Sequence, residues 1–256
     1  MRRIVLVALM LVALDARSAA AQGGVNLAWG SGCWAENPQV LKTFRCDANA
    51  GAVSMVGSFM LWSDRDGIVG ADAVIDLEVA AATLPDWWQF VNAGSCRESS
   101  LSASLDFSLA PGVSCFEPWP GISTSSTLRY LTATTVPPAP GTSPSRARIV
   151  LHAAAAEPAA VTGGTEYYLF RLSFDFQKTM QAGACPGCGT TAALVLSGVG
   201  LLRQDGGVDY ACTPIANVCI SWQFLDPSLC VPPPGGDCQS VPARNPTWGA
   251  VKSLYR

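Results

Sequence analysis

From Thr165 to Phe176 the chain reads Thr-Glu-Tyr-Tyr-Leu-Phe-Arg-Leu-Ser-Phe-Asp-Phe, alternating without a break. Tyr168, Phe170, Leu172, Phe174 and Phe176 fall on one side of an extended chain, and Tyr167, Leu169, Arg171, Ser173 and Asp175 on the other. A helix would scatter those large groups around its axis; a strand lines them up on one face. The stretch therefore predicts a strand with its phenylalanine face in a core. Its Tyr167, Leu169 and Arg171 side is more apolar than water requires. That side either lies under another segment or is a binding surface.

The same period recurs. Val25–Trp29, Val53–Trp62, Arg146–Ala153 and Ala193–Leu202 read as strands. In Ala73–Val79, Ile75, Leu77 and Val79 point inward, with Asp76 and Glu78 outward. In Leu101–Leu109, Leu101, Ala103, Leu105, Phe107 and Leu109 point inward. Turn clusters at 63–67, 163–164 and 205–207 separate them. Many short strands with no long helical pattern predict an all-β fold, an antiparallel β-sandwich or jelly roll. Residues 208–222 add one or two edge strands. A Cys-, Pro- and Gly-rich irregular tail spans 225–256. It ends in a short helix over 247–255, with Thr247 as N-cap and Trp248, Val251 and Leu254 or Tyr255 on one stripe. The sandwich domain is expected over 22–224, its core over about 53–207.

Met1-Arg-Arg3, the apolar run Ile4–Leu14 and Ala19-Ala-Ala21 have the form of a signal peptide over 1–21. They predict a secreted protein, extracellular, cell-surface or periplasmic, with no membrane span after cleavage. Removing them takes the formal charge from −3 to −5. An acidic surface with few lysines excludes nucleic acid as a partner, because phosphate binding needs a basic stripe.

Ten cysteines follow: Cys33, Cys46, Cys96, Cys115, Cys185, Cys188, Cys212, Cys219, Cys230 and Cys238. An even number behind a signal peptide predicts disulfides. Spacing suggests Cys33 with Cys46, Cys96 with Cys115 and Cys230 with Cys238, leaving the other four ambiguous. Cys185-Pro-Gly-Cys188 has redox-motif spacing, but a loop lacks the helix N-terminus that lowers a thiol pKa. A structural disulfide is the reading taken there.

The single histidine, His152, lies on the Arg148 side of its strand without a nucleophile motif beside it, and reads as a solvated surface residue. Asp64, Asp66 and Asp72 have the oxygen-ligand look of a structural calcium site, with an ordinary Asp-Gly turn as the competing reading. Asp76, Glu78, Asp106, Glu166 and Asp175 are expected on outward faces. Eight tryptophans are in excess. Trp87, Trp88 and Trp119, with Trp62, are either core or a stacking platform for sugar rings, and Tyr167 and Arg171 belong to the candidate binding face. In an extended segment Trp87 and Trp88 oppose one another, which puts at least one in the core.

The run Arg148-Ile-Val-Leu-His152, Ala160-Val-Thr-Gly-Gly164, Tyr168–Phe174 and Ala193–Val199 with Asp205-Gly206 resembles the second half of cohesin-like bacterial β-sandwich modules. Ala73–Phe107 corresponds to the first half, so the likeness spans about Val53 to Gly207. The whole chain, with its Trp-Gly-Ala-Val-Lys-Ser-Leu-Tyr-Arg ending, also resembles a group of uncharacterised secreted bacterial proteins, a likeness that implies no activity. The cohesin resemblance implies a non-catalytic adhesion or scaffolding module. An extracellular protein is then the expected partner. A polysaccharide gripped by exposed tryptophans is the alternative, a secreted hydrolase the third reading. No cofactor is expected beyond the calcium.

Overall fold

The computed structural model describes residues 23–34, 38–109, 112–135, 139–214, 218–224 and 227–230. The expected signal peptide and the helix over 247–255 lie outside these. Among the described residues there are twelve strands: β1 (Gly23–Trp29), β2 (Leu41–Lys42), β3 (Ala52–Leu61), β4 (Arg65–Val79), β5 (Leu101–Ser104), β6 (Thr124–Leu131), β7 (Arg146–Val161), β8 (Glu166–Asp175), β9 (Ala192–Arg203), β10 (Val208–Ala211), β11 (Thr213–Pro214) and β12 (Cys219–Trp222). They form two sheets, a five-stranded one in the order β11-β1-β3-β8-β5 and a seven-stranded one in the order β2-β12-β9-β4-β7-β6, with β10 added on β9. The fold is an all-β sandwich. Its main ladders are antiparallel, while β1 with β11 and β2 with β12 run parallel at the margins.

Three details depart from the sequence pattern. Leu101–Leu109 is not one strand: β5 stops at Ser104, where Asp106 takes the Ser108 amide and hydroxyl, and Phe107–Leu109 is a 3-10 turn. Thr124–Leu131, polar along most of its length, is a strand paired to β7. Its outward residues face water, so hydrophobic period alone does not find it. The third departure is in β8. Across from β3 the register jumps between Gly57, paired with Phe170, and Ser58, paired with Tyr168. The extra residue, Leu169, bulges, and the alternation changes side there. Tyr167, Leu169, Phe170, Leu172 and Phe174 therefore all join the inter-sheet core, while Tyr168 packs on the outer face with Cys33, Val56 and Cys115.

The bulge also seats the Phe170 ring against Gly57. A Cβ at position 57 would lie 2.2 Å from Phe170 Cζ. Gly57→Ala is expected to destabilise the fold by about 1–3 kcal/mol, the usual cost of overpacking. The Gly57→Ala, Phe170→Leu pair should cost less than the two changes summed, which a double-mutant cycle of denaturant unfolding measures.

At one end of the sandwich the core is aromatic. Trp29, Trp87, Trp88 and Trp222 are almost wholly buried and pack with Phe44, Phe90, Phe174 and Phe176. Each indole N–H has an acceptor, as buried tryptophans require: Ser221 O for Trp29, Thr179 Oγ1 for Trp87, Gly187 O for Trp88 and Cys188 O for Trp222. Arg97 is buried among them, its guanidinium 3.7 Å from the Trp87 ring centroid. It donates to the backbone carbonyls of Trp87, Gln177 and Asp175. Burial pulls its pKa down to about 10, against an opposing pull from Asp175.

The disulfides do not join the expected sequence neighbours. Cys33 bonds Cys115, Cys46 bonds Cys188, Cys96 bonds Cys185 and Cys219 bonds Cys230. This overturns all three pairings expected from spacing. The sheets, rather than chain proximity, decide which thiols meet. Cys212 is also disulfide-bonded, and Cys238 lies outside the described residues. Cys185 and Cys188 bond outward to separate loops rather than to each other. The turn between them lends Pro186 O, Gly187 O and Cys188 O to the tryptophan cluster.

Candidate functional site

The residues first considered for ligand contact are not on the surface. Trp87 and Trp88 are fully buried and Trp119 is 2 % exposed, its indole bonded to Ile68 O. Trp87 and Trp88 escape the opposition of an extended pair because Asp86–Trp88 is a 3-10 turn that puts both rings inward. No sugar platform forms from these three. Tyr167 is buried too: it stacks on Phe59, and its hydroxyl accepts the Thr162 amide. Arg171 donates from Nε to Ser54 Oγ on the opposite face. The bulge thus parts Tyr167 from Arg171, which simple alternation had put together.

The proposed calcium ligands are split as well. Asp64 and Asp66 line an open depression of about 790 Å³ with Arg65, Arg203 and Asp205. Asp72 sits far up β4, where it meets His152 Nδ1 at 2.7 Å. Asp64 Oδ1 is taken by the Gly163 amide, and Arg203 grips Asp205 with two hydrogen bonds. The Gly207 amide, then Arg203, hold the Asp205 carboxyl below its usual range. Among the described residues no cluster of three His, Cys, Asp or Glu side chains suits a metal. Asp76, expected on an outward, solvated face, is instead buried, in a two-bond pair with Arg148 and a further bond from Ser197.

Asp72, His152 and Thr127 stand side by side across β4, β7 and β6. They have the acid–base–hydroxyl order of a hydrolytic triad. They lie on an exposed sheet face, however, with Thr127 on the edge strand β6, and no pocket among those described encloses them.

Among the described residues the exposed large hydrophobic side chains are elsewhere: Trp34, Leu41, Trp62, Phe116 and Phe224. Three of them sit in segments that meet the start of β8 at Glu166. Trp34 sits on a loop folded over the outer face of the five-stranded sheet, and its amide points at both Glu166 oxygens, 3.0 Å from each. Phe116 sits at the sheet edge, donating its amide to Glu166 O, with its ring against Tyr167. Trp62 follows β3, where Met60 pairs with Glu166 and Leu61 O accepts the Gly164 amide. The Cys33–Cys115 disulfide joins the Trp34 loop to the Phe116 segment across this face.

Beneath the rim lies a polar floor. Ser58 donates to Glu166 Oε1 at 2.5 Å, and Asn26 Nδ2 donates to Ser58 Oγ and Gly32 O. Asn26 and Ser58 are fully buried, and Asn26 Oδ1 has no hydrogen-bond partner among the described residues. Sequence reading noticed Trp62 but missed Trp34, Phe116 and Glu166 as a group. They are distant in the chain, and no periodicity links them.

No family model matches the chain. No curated protein does either. Among solved structures it is similar to a cohesin module from a Clostridium perfringens ATCC13124 family 33 glycoside hydrolase, at 8 % identity and a TM-score of 0.32, over 79 % of this chain and 96 % of that module.

Proposed function

We propose that this is a secreted, non-catalytic binding protein that holds an extracellular protein partner at the Glu166 corner of its five-stranded sheet. The observation behind this reading is the grouping of Trp34, Trp62 and Phe116, 51 %, 59 % and 64 % exposed, on a disulfide-braced rim. Monomer surfaces seldom gather large aromatics without a partner, and interface anchors are enriched in them. The Phe116 ring is turned towards Tyr167 rather than lying alongside Trp34 and Trp62. A protein surface with separate protrusions and pockets suits them better.

The test is cross-linking of the purified, tagged protein at the surface of its own producing cells. Wild type is expected to retain one specific protein. The Trp34→Ala, Trp62→Ala, Phe116→Ala variant should retain about tenfold less, roughly the loss of one hot-spot contact. Equal retention by the variant, or capture of polysaccharide instead of protein, overturns the reading.

A further inference from the structure

Six Asp and Glu side chains among the described residues are at least partly buried: Asp72, Asp76, Glu78, Glu117, Glu166 and Asp209. Four have a basic partner. Asp76 pairs with Arg148, Glu78 with Arg146, Asp209 with Arg65, and Asp72 with His152. Glu117 and Glu166 have no ion-pair partner among the described residues. These two stand at the same corner. Glu117 follows Phe116, whose backbone bonds β8 on either side of Tyr167. One residue further back, Cys115 reaches over the outer face to Cys33. Strand alternation therefore puts Glu117 on the Glu166 side of the edge.

A half-buried carboxylate loses hydration and regains it only through hydrogen bonds or an opposite charge. Glu166 has its hydrogen bonds, from Ser58 and from the Trp34 amide, but no cation beside it among the described residues. The fully buried Asn26 Oδ1 adds a second acceptor in the same network. Trp34 and Trp62 are exposed at this corner, and indole faces attract cations through the ring quadrupole. Building on the proposed binding role, we infer that the partner presents a lysine or arginine side chain to Glu166 and Glu117, its alkyl stem against Trp34 or Trp62. A neutral or acidic partner would leave both carboxylates buried and unpaired at the centre of the contact.

The experiment titrates the full chain with Nα-acetyl-arginine amide, Nα-acetyl-lysine amide and, as the neutral isostere, Nα-acetyl-norleucine amide. The indole N–H signals of Trp34 and Trp62 are followed by NMR. The two cationic probes should shift these signals and saturate, while norleucine amide leaves them in place. Glu166→Gln should weaken the cationic probes about fivefold, the size expected for one exposed ion pair. Glu117→Gln serves as a second variant should the first disturb the Trp34 loop. Asp47→Asn, an exposed acid elsewhere, controls for overall charge. Equal shifts with norleucine amide, an unchanged affinity in both Gln variants, or the same loss in Asp47→Asn overturns the inference. If the rim alanines abolish partner retention while both Gln variants keep it, the binding role stands and the cation falls.

Discussion

Replacing Cys46 and Cys188 together by alanine is expected to remove about 4–5 kcal/mol of stability. The bond closes a loop of 142 residues in the unfolded chain, and the entropy withheld from that chain rises with loop length. It also ties the Phe44 loop to the turn that feeds acceptors to Trp222 and Gln223. The Cys219–Cys230 bond, with a separation of 11, should be worth only about 3 kcal/mol by the same reasoning. Denaturant unfolding of the two double variants against the oxidised parent gives both numbers. A fall below about 1 kcal/mol for the Cys46 and Cys188 pair would mean that the sheets alone hold that end together. A domain of this kind has about 5–15 kcal/mol to lose, so full reduction should unfold it.

Arg97→Met should be nearly as damaging, at about 3–5 kcal/mol. The side chains are similar in volume, so packing changes little. What disappears is the forked donor for the carbonyls of Trp87, Gln177 and Asp175, which would be left without their hydrogen bonds at the centre of the tryptophan cluster. The stacking of the cation on Trp87 goes too. Arg97→Lys keeps the charge but not the fork, and should recover only part of the loss. The pH dependence has a definite sign. Burial lowers the Arg97 pKa to about 10, so folding disfavours its charged form below that pH, and the penalty lifts above it. Raising the pH from 7 towards 10 should therefore not weaken the fold through this residue. Urea midpoints of the parent and both variants across that range test each statement, and a parent that loses an Arg97-dependent increment on going alkaline would contradict the sign.

How much of this was legible in the sequence depends on the range of the interaction. Strands whose one face is buried announce themselves: Ala73–Val79 keeps Ile75, Leu77 and Val79 inward as its alternation predicts. The bulge at Leu169 does not, because it arises from a register set by another strand, and it moves Tyr168 to the face opposite Phe170. The tryptophans show the same limit. Composition reveals an excess of large rings but not which ones are covered, and Trp87, Trp88 and Trp119 prove to be core while Trp34 and Trp62 are not. The Glu166 corner was illegible for a simpler reason: Trp34, Trp62, Phe116 and Glu166 come from four separate segments, and only the folded sheet brings them together.

The long reach of the disulfides sets a timetable for the nascent chain. Cys33 and Cys46 are made 82 and 142 residues before the thiols they finally bond. At about 5–20 residues per second, Cys46 waits roughly seven to thirty seconds for Cys188 to be synthesised. During that interval Cys33 is its nearest neighbour, and closing the short loop between them costs less entropy than any native bond open to either. The first crosslink favoured by chance is therefore a wrong one. Reaching the native set requires either that β1 and β3 shelter Cys33 early, or that thiol exchange undoes the early bond once β8 and β9 arrive.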